Sequence, residues 1–151
     1  MEILDGKKLS QQIKEEIRRA VALRKEKGQK VPHLAAVLVG NDGASLTYVG
    51  SKVRSCEQVG FKSTLIRLEQ SITEAALLSR IKTLNEDDTL DGYIVQLPLP
   101  KHIDEEKILL AVDPKKDVDG FHPSNFGRMA LEMDSFIPAT PFGIMEMLKR
   151  Y

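Results

Sequence analysis

Apolar residues fall at helical spacing from near the start of the chain. In residues 5–27, Leu9, Ile13, Ile17, Ala20 and Val21 share one face and Gly28 closes the run, which predicts an amphipathic helix. The pattern then changes. HLAAVLVG (33–40) is a continuous apolar run ending in glycine, the mark of a buried strand. NDGAS predicts a turn, with Ser45 as N-cap of a helix over 46–59 that Gly60 ends. FKSTLIRL (61–68) has the pattern of a half-buried strand, and Thr73 is placed to cap a helix reaching Asn85. DGYIVQLPLP (91–100) starts from a turn, gives an apolar strand over 91–97 and stops at Pro98 and Pro100. A tight proline turn of this kind suits a cis bond. Residues 104–112 predict a short helix with Ile108, Leu109 and Val112 inward. DPKKDVDGFHPSNFG (113–127) is rich in Asp, Gly and Pro and reads as a loop. FIPATPFGIMEMLKRY (136–151) predicts an extended entry, Pro141 at a helix start, and an amphipathic helix.

Strands alternating with helices predict βαβ units, an α/β fold with three layers around a mainly parallel sheet. With 151 residues, one domain is expected. Such a domain buries roughly 68–70% of its unfolded-chain surface, enough for a proper core. Lys+Arg and Asp+Glu are both 22. That balance argues against a general nucleic-acid or membrane-surface binder, which needs a basic excess. Cys56 is the single cysteine, so no internal disulfide forms and a reducing compartment is expected. The opening MEILDGKKLSQQIKEE lacks the apolar core of a signal peptide, and no apolar run approaches a membrane span. A cytoplasmic protein is the expectation.

In parallel sheets, ligands sit at the carboxyl ends of the strands. The unusual residues fall at that edge. Tyr48 lies in the first turn of the helix after the first strand, with Lys52 one turn on, on the same face. Alone, the pair also fits ordinary helix surface. It shares its spacing with the Tyr-x-x-x-Lys of short-chain dehydrogenases, but no G-x-G-x-x-G precedes it, which rejects that reading. Gln96 is a polar residue in an apolar strand and needs partners if buried; a satisfied edge-strand glutamine is the alternative. Asp117 and Asp119 precede Gly120. A calcium loop starting at Asp117 would carry Phe121 at its fifth position and Arg128 at its twelfth, so calcium fails. A solvated Asp/Gly turn remains open. His33, His102 and His122 lack ligand spacing, and no metal site is expected. Cys56 reads as a small core filler.

Taken in order, TYVGSK, DGYIVQLPLP, PKKDVDGFHPSNFGR and FIPATPFG closely resemble the bifunctional methylenetetrahydrofolate dehydrogenase/methenyltetrahydrofolate cyclohydrolase family. LDGKKLSQQI and HLAAVLVGNDGAS fit the same family, so the resemblance covers essentially the whole chain. It implies an aminoacid-dehydrogenase-like N-terminal domain that binds a tetrahydrofolate derivative. Family members continue into a second, Rossmann-like domain that holds NAD or NADP. This sequence stops at MLKRY, where that domain would begin, so residues 1–151 are expected to form the folate-binding catalytic domain alone, without a cofactor-binding site. The parent enzyme oxidises 5,10-methylenetetrahydrofolate with NAD(P) and hydrolyses the product to 10-formyltetrahydrofolate. It is implied to be a homodimer built largely through the second domain, which leaves dimerisation of this chain in doubt. The alternative is a folate-binding or interaction module without turnover.

Carried over by motif, Lys52 resembles the catalytic lysine, Tyr48 the tyrosine that stacks on the folate, and Gln96 the glutamine that holds the lysine. Asp119 resembles the aspartate that binds the pterin, and Pro141 and Gly143 the substrate-side turn of P-x-T-P-x-G. Ala139 stands where many relatives have Cys, a small-for-small exchange.

Overall fold

The computed structural model describes residues 3–151; the chain start at Met1 and Glu2 lies outside the described residues. The elements run in the order α1 (Gly6–Glu26), β1 (His33–Val39), α2 (Gly43–Val59), β2 (Lys62–Leu68), α3 (Glu74–Glu86), β3 (Gly92–Val95), α4 (Glu105–Ala111), α5 (Pro123–Ala130) and α6 (Ala139–Arg150). The strands form one sheet in the order β2-β1-β3. Both pairings are parallel, with His33 opposite Lys62 and Leu34 opposite Gly92.

That order decides the layers. The chain leaves β1 for β2 on one side, then crosses back over β1 to reach β3. Right-handed crossovers in opposite directions place α2 and α3 on opposite faces of the sheet. The alternation along β1 agrees. Ala35, Val37 and Val39 pack with Leu77, Ile81 and Leu84 of α3 and Ile108 of α4. Ala36 and Leu38 face the other way, against Val49 of α2 and Ile94 of β3. β1 is therefore apolar on both faces because it is covered on both, and α1 packs outside α2. Side chains such as Ile108 and Leu77, each almost fully buried, contribute about 1.5–3 kcal/mol apiece by leaving water.

The expected α/β class holds, while several element boundaries shift. Asp42, not Ser45, caps α2: its carboxylate accepts from Ser45 N at 2.8 Å. Ser45 is one turn in and buried, so Tyr48 sits in the second turn rather than the first. Thr73 caps α3 as expected, accepting from Ala76 N. β3 stops at Val95, short of the predicted 97, and the Leu97–Pro98 bond is cis. Ile108 and Val112 are buried, with Leu109 half-buried.

The 113–127 segment is not all loop. Its end forms α5, with Pro123 preset for the first turn and His122 Nδ1 accepting from Ser124 N. α6 begins at Ala139, two residues earlier than expected, with Pro138 at its N-cap and Pro141 inside its first turn. Among the described residues, no helix is long and apolar enough to cross a membrane.

Candidate active site

β1 and β3 are neighbours, and their onward chains diverge. β1 leads to α2 on one face, and β3 leads to α4 on the other. Such a switch point opens a crevice at the carboxyl ends of the two strands. α2 supplies one wall. Its inward stripe is Ser45, Val49 and Val59, which turns Tyr48 and Lys52 aside toward the crevice. Tyr48 is 65% exposed, an aromatic face available for stacking.

Gln96 follows β3 directly and extends its ladder, with its N–H donating to Val37 O at 2.9 Å. Its side-chain Nε2 donates to Leu97 O at 2.8 Å. Its Oε1 is buried with no partner, and an acceptor withdrawn from water without a donor is costly.

The opposite wall is the 113–120 segment. Tyr93 N donates to Lys116 O at 2.9 Å, and Asp117 forms a parallel bridge with Tyr93. The segment thus lies along the free edge of β3. It fits because residue 92 is glycine: a Cβ there would overlap Val118 Cγ1. Asp119 is carried to within 3.7 Å of Lys52 Nζ, with its side chain only 22% exposed. Burial pushes the Asp119 carboxyl above its ordinary range. The Asp117 charge adds to that push and Lys52 opposes it.

Tyr48, Lys52, Gln96, Asp119, Phe121 and Pro141 line one cleft of about 430 Å³. Five of the six residues singled out in the sequence therefore converge. Gly143 does not. It lies two residues further along α6, on the other side of the helix, in a separate apolar groove with Leu9 and Ile13 of α1 and Met147. The expected contact of Gln96 with Lys52 is also not the one observed. The lysine faces Asp119, and the Gln96 amide is turned to Leu97 O.

Sequence reasoning missed Leu97, Phe121 and Thr140, which also line the cleft, with Val95, Pro138 and Ala139. Phe121 is 50% exposed. An aromatic placed in a polar loop directly after DVDG was the available signal. Cys56 is half-buried, and burial pushes its thiol up, away from the reactive thiolate form.

Known proteins resemble this chain in sequence and fold. Residues 4–119 match the model of the tetrahydrofolate dehydrogenase/cyclohydrolase catalytic domain. The chain is 74% identical over 151 residues to the bifunctional protein FolD of Flavobacterium johnsoniae, covering all of this chain and 51% of that protein. The crystal structure of the bifunctional FolD methylenetetrahydrofolate dehydrogenase/cyclohydrolase from Campylobacter jejuni superposes with a TM-score of 0.95 at 48% identity, over 100% of this chain and 54% of that one. The Trypanosoma brucei dehydrogenase-cyclohydrolase, solved with NADP and an inhibitor, superposes at 0.90 with 32% identity, over 96% of this chain and 50% of that one. The chain spans about half the length of the curated relatives it matches. With the family model covering most of its length and identity this high, the chain belongs to the tetrahydrofolate dehydrogenase/cyclohydrolase family.

Proposed function

We propose that this chain supplies the folate site of a methylenetetrahydrofolate dehydrogenase/methenyltetrahydrofolate cyclohydrolase. The parent reactions are oxidation of 5,10-methylenetetrahydrofolate by NAD(P) and hydrolysis of the methenyl product to 10-formyltetrahydrofolate. The observation that carries the reading is the convergence of Lys52 and Asp119, 3.7 Å apart, on a cleft that an exposed Tyr48 overhangs.

The residue types suit the substrate. A pterin presents a ring N–H and an amino group side by side, which the Asp119 carboxylate accepts as a pair. Tyr48 stacks on the flat ring system, with Phe121 a second aromatic in the same cleft. Methenyltetrahydrofolate carries a delocalised cationic carbon. Water adds to that carbon, its proton passes to the Lys52 amine, and a proton returns to the ring nitrogen whose bond to carbon breaks. Pterin capture by Asp119 competes with the Asp119–Lys52 pair, and the freed lysine sheds its proton to solvent before it takes the one from the attacking water. The unpartnered Gln96 Oε1 is the acceptor that then holds the amine, without the charge of a salt bridge.

The described residues do not fit a dinucleotide. The turn after β1, GNDGAS, lacks the G-x-G-x-x-G spacing. Asp42 also places a carboxylate on the first N–H groups of α2, where a pyrophosphate would sit. The hydride step therefore belongs to the parent enzyme.

The pH dependence follows from Asp119. Its carboxylate is the binding form, and its proton affinity is raised by burial. Folate affinity is expected to fall as pH drops through that raised value, beginning at higher pH than for an exposed aspartate. Calorimetric titration of 5-formyltetrahydrofolate across acid pH checks this; an acid limb no higher than that of an ordinary carboxylate would exclude Asp119 as the group responsible.

The direct test is hydrolysis of 5,10-methenyltetrahydrofolate by this chain with no nicotinamide, followed by loss of the methenyl absorbance. A rate above buffer makes the chain a working cyclohydrolase. Folate binding without turnover identifies the non-catalytic module. Neither binding nor turnover overturns the reading.

A further inference from the structure

Behind Asp119 lies a second carboxylate that the proposed chemistry does not use. Asp117 is 4% exposed and Asn125 is 4% exposed. One carboxylate oxygen, Asp117 Oδ2, accepts from His122 N at 2.8 Å and from Asn125 Nδ2 at 2.9 Å. The same Asn125 amide donates its other hydrogen to Pro114 O at 2.9 Å. The start of α5 is thereby tied to Pro114 and Asp117 in the loop that precedes it. The backbone completes the ring, since Gly120 N donates to Asp117 O at 3.1 Å and Tyr93 N holds Lys116 O against β3. Asp119 sits inside this closed turn. The ring fixes where the backbone at Asp119 stands relative to Lys52.

A bland account would make the cluster a loop fastener only. An asparagine or a backbone contact would fasten the loop at lower cost, because a buried carboxylate is expensive unless paired and hydrogen-bonded, and among the described residues Asp117 has hydrogen bonds but no ion pair. Here the charge has a neighbour on which to act. Asp117 and Asp119 line the same small cavity beneath β3. The charged and titratable groups around Asp119 are Lys52 from α2, Asp117 from its own loop, Glu105 from α4 on that cavity, and Tyr48 across the cleft. Glu105 is engaged with Leu99 N at 2.7 Å.

We propose that Asp117, held by Asn125, is a positioning residue that fixes Asp119 opposite Lys52 and sets the charge Asp119 carries. The consequence for folate rests on the reading of Asp119 given above; the clip itself does not.

The test is a carboxyl ¹³C NMR titration of Asp119, its resonance identified by its loss in Asp119→Asn. Asp117→Asn keeps an acceptor oxygen for both hydrogen bonds, removes the charge and turns the other oxygen into an amide NH2, so it is chosen as the change that best preserves the fold. The midpoint for Asp119 is expected to fall in Asp117→Asn, since a repelling charge is gone. In Asn125→Ala the Asp119 resonance is expected to shift as the turn relaxes, and 5-formyltetrahydrofolate is expected to bind about tenfold more weakly or worse. An unchanged midpoint in folded Asp117→Asn, together with unchanged folate affinity in Asn125→Ala, would reduce the pair to a fastener and overturn the proposal. Separately, Asp119→Asn binding folate as tightly as wild type would sink the folate role of Asp119, while the titration midpoints would still judge the clip.

Discussion

Lys52→Met is expected to lower hydrolysis of 5,10-methenyltetrahydrofolate by roughly 100-fold or more, the usual effect of removing a positioned acid–base group. Methionine keeps the length and apolar stem of the lysine and removes the amine. The side chain is 43% exposed on α2, so the fold has little reason to respond. Two events are lost together. With substrate bound no group takes the proton of the attacking water, and in the free site Asp119 loses its opposing charge. Lys52→Arg separates them: the guanidinium keeps a cation near Asp119 but does not give up its proton in a protein. Loss of turnover in both variants, with folate affinity kept in Lys52→Arg, identifies proton transfer as the lysine's task. Undiminished hydrolysis in Lys52→Met would end its assignment to catalysis.

The largest expected effect on stability is at Gly120. Its φ is +71°, a left-handed conformation that costs a residue with a Cβ about 1–2 kcal/mol. A Cβ there would also lie 2.8 Å from Phe136 O, Ile137 C and Pro138 N. All three are backbone atoms that no rotamer change can move. Gly120→Ala must therefore push apart two walls of the cleft, the Asp119 turn and the entry to α6. A destabilisation of about 3 kcal/mol or more is expected, which for a chain of this size lowers the melting temperature by roughly 6–12 °C. Gly143→Ala is the control. Nothing lies within 4 Å of a Cβ at Gly143, and its φ is not positive. Alanine there gains up to about 1 kcal/mol of helix propensity. Thermal unfolding of the two variants should move in opposite directions, and equal melting temperatures would refute the steric argument.

Much of this was legible in the chain because the signals are local. The switch from helical spacing in residues 5–27 to the apolar run 33–39 reports how each segment is covered, and the covering is periodic. Gly60, at φ +81°, marked a helix end because left-handed backbone favours glycine. The errors share a cause as well. Asp42 and Ser45 are both good caps. Which one caps α2 depends on where the chain leaves β1, and Ser45 is already buried against the sheet. α5 was hidden because HPSN reads as a turn until Asn125 is seen anchored on Asp117 and Pro114.

The sequence by itself determined the alternating α/β order, the two-faced burial of β1, and a set of residues whose types suit folate chemistry. Local periodicity and residue chemistry carry that much. Only the tertiary structure decided that Lys52 faces Asp119 rather than Gln96, that Gly143 lies in a separate groove from Pro141, and that Asp117 is a buried support. Those outcomes depend on parallel register and on a loop returning along the free edge of β3. Contacts between residues 67 positions apart, as with Lys52 and Asp119, leave no periodic trace in the chain between them.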